Sequence, residues 1–228
     1  QVFKKKEAVA LSLKTDSFVV QSNVHFPTDY NLLWDASRKA LDVIEWFKKK
    51  HPHLEGWRKS RDWFKSLKNL SRAMGVASSC GGKDKQKRVR SVTKKYLIKA
   101  IALRDKLTQS KADLPWDTFM DTLKVLELDE FITLINQHID LIDRRLLRGE
   151  KIPHGEKLFS IFEQYTEWIT KGKLHPNVEL GKKTSITTDQ YGLIIDGYIM
   201  ENESDSQIVV PTSKRVLSKY QVASWSFD

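Results

Sequence analysis

The hydrophobic pattern of this chain changes period three times. Over residues 7–23 β-branched and apolar residues dominate, first Ala8-Val-Ala-Leu-Ser-Leu13 and then Phe18-Val-Val20, which predicts a strand or a bent pair of strands. His25-Phe-Pro-Thr-Asp29 turns the chain: Pro27 disfavours helix at Phe26, and Thr28 or Asp29 is a good N-cap for a helix beginning there. Over residues 29–147 the spacing is helical. Leu32, Leu33, Ala36, Ala40, Val43, Ile44 and Phe47 recur at three- and four-residue steps and define a first amphipathic helix. A second helix is expected over 57–74, followed by a break at Ala77-Ser-Ser-Cys-Gly-Gly82, and a third over 84–110. Pro115 suits the first turn of a fourth element reaching Leu147, with an interruption near Leu128 allowed by the pattern.

Beyond Lys157 strand-like runs return, at 158–162, 167–169, 178–187 and 192–200, the last two joined by a turn at Thr188-Asp-Gln-Tyr-Gly192. Asp205 or Ser206 can cap a short helix reaching Tyr220, in which Pro211 argues for a late start or a kink. Residues 222–227 form the final predicted strand. The order predicts an α/β protein: a first strand region at 1–28, a basic all-helical insertion at 29–150, and a return to the sheet at 151–228.

Charge sharpens this picture. The 228 residues carry a net charge of +10, which favours a polyanionic partner, most commonly nucleic acid. Residues 36–110 hold 21 lysines and arginines against 6 aspartates and glutamates, so the excess belongs to the helical segment. Lys83, Lys85, Lys87, Arg88, Arg90, Lys94 and Lys95, at the start of the third helix, are the candidate DNA contacts. The single cysteine, Cys80, excludes an internal disulfide and fits a reducing compartment; no run is long enough to span a membrane, and the chain is expected to be cytoplasmic. The histidines show no metal-ligand spacing, His51-Pro-His53 having no third partner nearby.

Two acidic residues carry the candidate chemistry. Asp16, in Lys14-Thr-Asp-Ser-Phe-Val-Val20, and Asp228, which closes Val222-Ala-Ser-Trp-Ser-Phe-Asp228, each follow a short apolar or β-favouring run, the pattern of a carboxylate at or near a buried strand. Brought side by side, they would make a metal site.

Thr15-Asp-Ser-Phe-Val-Val-Gln-Ser-Asn-Val-His-Phe-Pro-Thr-Asp29 with Leu32-Leu33 resembles the D-T/S-x-V-V-x-x-N-x-H-x-P-T-D…L-L signature of bacterial insertion-sequence DDE transposases of the ISNCY-like kind. Lys157-Leu-Phe-Ser-Ile-Phe-Glu163, Lys171-Gly-Lys173 and Val178-Glu-Leu-Gly-Lys182 are similar to that family's K-x-x-S-x-x-E, K-G-K and V-E-x-G-x-K run. Gly192-Leu-Ile194, Glu201-Asn-x-x-Asp205 and Ser226-Phe-Asp228 resemble later positions, while Gln21 and Glu201 depart from a usual Glu and Gly. The resemblance implies a ribonuclease-H-like mixed sheet, incomplete here, with a large helical insertion after the first strand. It also implies a bacterial, nucleoid-associated enzyme that cuts and joins DNA at transposon ends and target, with a homodimer on that DNA as one expected assembly. Asp16 and Asp228 are the matching catalytic residues and ligands of two Mg²⁺ or Mn²⁺ ions about 3.5–4 Å apart. The third acidic ligand would lie beyond Asp228, which implies an inactive fragment. The alternative is a non-catalytic basic helical module that binds nucleic acid without chemistry.

Overall fold

The computed structural model describes residues 10–170, 177–201 and 203–227. In chain order the main elements are β1 (Leu11–Gln21), α1 (Asp29–Lys50), α2 (Ser60–Ser79), α3 (Lys85–Lys111), α4 (Phe119–Ile142), β2 (Glu167–Thr170), β3 (Val178–Thr188), β4 (Ile194–Ile199), α5 (Asp205–Leu217) and β5 (Val222–Phe227). The fold is mixed α/β, with five helices and a five-stranded mixed sheet among the described residues. The chain divides into two compact units. One runs to Val24 and resumes at Tyr165; the other is His25–Gln164.

In the first unit β1 is an interior strand. It pairs antiparallel with β3, from Lys14 with Thr188 to Gln21 with Gly181, and parallel with β5, from Leu11 with Val222 to Thr15 with Phe227. On the far edge of β3, β2 takes the first residues and β4 the last, giving Glu167 opposite Gly181 and Thr184 opposite Ile199. The β3–β4 hairpin closes on Asp189, whose Oδ1 accepts the backbone N–H groups of Tyr191 and Leu193 at 2.9 Å each, with Gly192 at φ +78°. Strand alternation separates two faces of β1. Leu13 and Thr15 are buried, while Ser12, Lys14, Asp16, Phe18 and Val20 are exposed.

The helical unit follows from its caps and its apolar stripes. Thr28 caps α1 by accepting the N–H of Asn31, and Thr118 with Asp121 forms a reciprocal capping box at α4. Leu33, Ala36, Ile44 and Phe47 of α1 join Leu67 and Met74 of α2, Tyr96 and Leu103 of α3, and Leu128 and Ile135 of α4 in one core. Trp57, fully buried just before α2, donates its indole N–H to Ser110 at 2.9 Å.

Several expectations need correction. Residues 158–162 form no strand: Ser160 Oγ accepts the N–H groups of Phe162 and Glu163 at 3.1 and 3.0 Å, a local turn that takes the place of a ladder. Leu158 and Ile161 consequently pack on the helical core. Pro115 precedes α4 instead of starting it, because the capping box places the first helical residue at Phe119. The helix passes Leu128 without a break and ends in a π-helical turn, Asp143–Arg148, closed by Gly149 at φ +76°. α2 begins three residues after Trp57 and continues past Met74 to Ser79. Pro211 lies inside α5, which starts at Asp205 because Ser204 and Gln207 form a capping box upstream of the proline.

Candidate functional site

Thr15 fixes the strand that carries Asp16. Its buried hydroxyl lies 2.7 Å from Thr187 Oγ1 on β3 and accepts the indole N–H of Trp225 on β5 at 2.8 Å. Three strands are thus locked at one residue. The Trp225 ring in turn stacks on Phe227 with centroids 4.9 Å apart. Gly181 holds the other end of the same ladder, since a Cβ there would meet the Val20 carbonyl oxygen at 2.0 Å. Only a residue without a side chain lets β3 approach β1 this closely.

Asp16 itself pairs with Ile186 across the ladder and is exposed, on the face opposite Thr15. The expected burial is therefore corrected: its strand neighbours are buried, but its own side chain points to solvent, where a charge costs little. Exposed Phe18 (40%), Val20 (51%) and Ile199 (59%) flank it on that open face, given the pairing of Phe18 with Thr184 and of Thr184 with Ile199. The parallel ladder ends, among the described residues, at the pair Thr15–Phe227, the residues that precede Asp16 and Asp228 in sequence. Asp228, and the Lys171-Gly-Lys173 motif, lie outside the described residues.

Among the described residues no group of three or more His, Cys, Asp or Glu side chains could hold a metal ion. Asp16 alone offers one hard oxygen ligand where Mg²⁺ requires several, so the described donor set does not make a complete centre. Asp205 does not add to it. At the first turn of α5 it ion-pairs with Lys183 at 2.9 Å; burial would raise its carboxyl, but hydrogen bonds from Ser17 and Lys183 outweigh this and hold it below the ordinary value. Ser17 stands on the face opposite Asp16. His25, also near in sequence, lies 3.3 Å from Asp35 of α1 in the helical unit.

The seven basic residues at the start of the third helix do not share one face. Lys83, Lys85 and Arg90 line a cleft of about 430 Å³ together with Arg145 and Arg148 from the π-helical turn after α4, with Val89, Leu146 and Leu147 as its apolar part. Lys87 and Arg88 border a separate, mainly apolar groove with Val76, Cys80 and Val92. The Arg88 guanidinium donates to the carbonyls of Cys80 and Gly81 at 3.1 and 2.7 Å, so it closes the α2–α3 connection. Lys94 and Lys95 are exposed further along α3. Sequence reasoning missed Arg145 and Arg148, which lie some sixty residues from Lys85 and reach the cleft only through the packing of α3 on the π-helical turn.

Comparisons with protein-family models, with curated proteins and with solved structures find no match to this chain. Among the described residues no helix is long and apolar enough to cross a membrane.

Proposed function

We propose that this chain belongs to the catalytic part of a DNA transposase of insertion-sequence type, built on a ribonuclease-H-like sheet, with Asp16 and Asp228 as acidic ligands of Mg²⁺ or Mn²⁺. The observation that carries the reading is the ladder around β1. A strand antiparallel on one side and parallel on the other, reached through the β3–β4 hairpin and α5, is the order such a sheet requires, with Thr15 opposite Phe227. That register supports placing the two aspartates of the motif at corresponding positions of neighbouring strands. The basic helical unit between β1 and β2 supplies the polyanion affinity the substrate demands.

A non-catalytic nucleic-acid-binding module is favoured by a different observation: the described residues bring no group of carboxylates together around Asp16, while several cations of the α3 region converge on one cleft. The two readings separate on metal binding. Mn²⁺ titrated into the full chain, followed by the loss of its free-ion electron paramagnetic resonance signal, is expected to bind, and Asp16→Asn is expected to weaken that binding tenfold or more. Equal Mn²⁺ binding by both proteins, or none by either, overturns the transposase reading and leaves the binding module.

A further inference from the structure

We infer that the cleft between the start of α3 and the π-helical turn after α4 grips the phosphodiester backbone of a nucleic acid. The proposal takes the class of ligand from the function proposed above, but it rests on a separate site in the other unit of the chain.

Five cationic side chains line the cleft, and no acidic side chain does. Lys83, Lys85 and Arg90 make no ion pair with a carboxylate among the described residues, and all three are exposed. Such charges are held together without an internal counter-ion, an arrangement that an external anion relieves.

The other two cations are oriented. Arg145 Nη2 lies 2.9 Å from Asp29 Oδ2; Arg148 is held by Asp143 at 2.6 Å, with Glu150 Oε1 3.9 Å away. None of these three carboxylates lines the cleft. Arg145 meets Asp29 through Nη2 alone, which leaves its other guanidinium nitrogens for a ligand.

The arrangement suits a chain of phosphates. The cations come from two elements that face each other, and Val89, Leu146 and Leu147 lie between them. Successive phosphates of a backbone can engage cations of both elements, with sugar edges against the apolar part. Gly82 and Gly149, at φ +99° and +76°, mark the two chain turns at the cleft, and a Cβ added at either would have no atom within 4 Å, so the space beside both turns is open to an approaching strand.

The test is binding of a fluorescent DNA duplex by the full chain in EDTA, across a series of salt concentrations, with circular dichroism to verify folding. The cleft variant K83Q/K85Q/R90Q is compared with K87Q/K94Q/K95Q, which removes the same charge from α3 outside the cleft. The cleft variant is expected to bind at least tenfold more weakly at about 0.1 M salt, with a log–log salt slope shallower by about two to three, since each phosphate contact contributes about 0.9. The outside variant should lose threefold or less. Arg148→Gln, on the opposite wall, should by itself lower the slope by about one. Equal losses in the two triple variants, or an unchanged slope in Arg148→Gln, overturn the proposal in favour of a diffuse field. Tight binding of inorganic tripolyphosphate that depends on these residues, with DNA binding indifferent to them, overturns it in favour of a free polyphosphate. Because EDTA removes any divalent ion and Asp16 is not involved, failure here leaves the Mn²⁺ result standing, and the converse holds.

Discussion

Lowering the pH from 7 to 5 is expected to cost the helical unit about 2 kcal/mol through one residue, His138. It sits on the core face of α4 among Leu134, Ile135 and Ile142, is fully buried, and has no hydrogen-bond partner at either ring nitrogen. Burial pulls its imidazole down from 6.5 to about 4. No charged partner contributes, so the cause is desolvation of the cation. Between these two values the unfolded chain takes up a proton that the folded protein refuses. Stability is therefore fully present above pH 6.5 and declines as the pH falls towards 4. The whole window is worth about 3.4 kcal/mol at about 1.36 kcal/mol per unit, and about 2 kcal/mol of it is lost between pH 7 and pH 5.

The assay is urea denaturation at pH 8, 7, 6 and 5, followed by far-ultraviolet circular dichroism, on the native sequence and on His138→Leu. Leucine fills the site without two unsatisfied nitrogens, so the variant is expected to be at least as stable at pH 7. The difference between the two proteins should widen by about 2 kcal/mol by pH 5. Working above pH 5 keeps most carboxylates ionised, and the subtraction removes the other five histidines. Parallel pH profiles for the two proteins would refute the reasoning.

Three further outcomes follow from the geometry. Gly181→Ala should destabilise the β1–β3 ladder by about 3 kcal/mol or more in thermal or urea melts, because the clash is with backbone that cannot turn aside; a loss under about 1 kcal/mol would contradict the close approach. Thr15→Val keeps the shape but strands the Trp225 indole N–H and the Thr187 hydroxyl, for an expected loss of about 1–3 kcal/mol and a red-shifted, more quenchable tryptophan emission. Asp121→Asn should lower the melting temperature at pH 7. Burial would raise this carboxyl, but Lys50, Thr118 and His51 outweigh it and hold it far below the carboxylate range. Its contribution is present above the unfolded-state value near 3.8 and fades below it, so the gap between native and variant should close as the pH drops under 4.

The features legible in the sequence are local ones. Thr28 as a cap and the turn at Asp189–Gly192 each depend on residues within a few positions of one another, and each is present; the break expected over 77–82 opens only at Cys80, because α2 runs through Ser79. The apolar run at 158–162 is ambiguous because strand and buried turn share its composition; Ser160 decides it through hydrogen bonds to the backbone just ahead of it. Pro211 misleads for the opposite reason, since a strong cap upstream outweighs the bond a proline forfeits. The pattern places Asp16 on a strand, but not on the exposed face. That depends on α5 contacting the Ser17 side of the sheet, through the Asp205 carboxylate. Arg145 and Arg148 carry no sequence signal at all towards the cleft, because a count of charge along the chain cannot show which segments fold against each other.

The same count also hides where the positive field originates. In the helical unit several carboxylates are already engaged: Asp29 with Arg145, Glu45 with Lys48, Asp121 with Lys50, and Asp129 with Lys111. Such pairs add little stability when exposed, yet they cancel charge within a few ångströms of its source. The surplus that remains gathers on lysines and arginines without a carboxylate beside them, and Lys83, Lys85 and Arg90 bring such charges into the cleft. A Debye length of about 8 Å at physiological salt would largely screen a surplus spread over the whole surface, while charges that converge on one cleft remain felt by a phosphate seated among them. The salt dependence of polyanion binding should therefore follow the few phosphate contacts made in the cleft and not the net charge of +10, and should rest on a few named side chains.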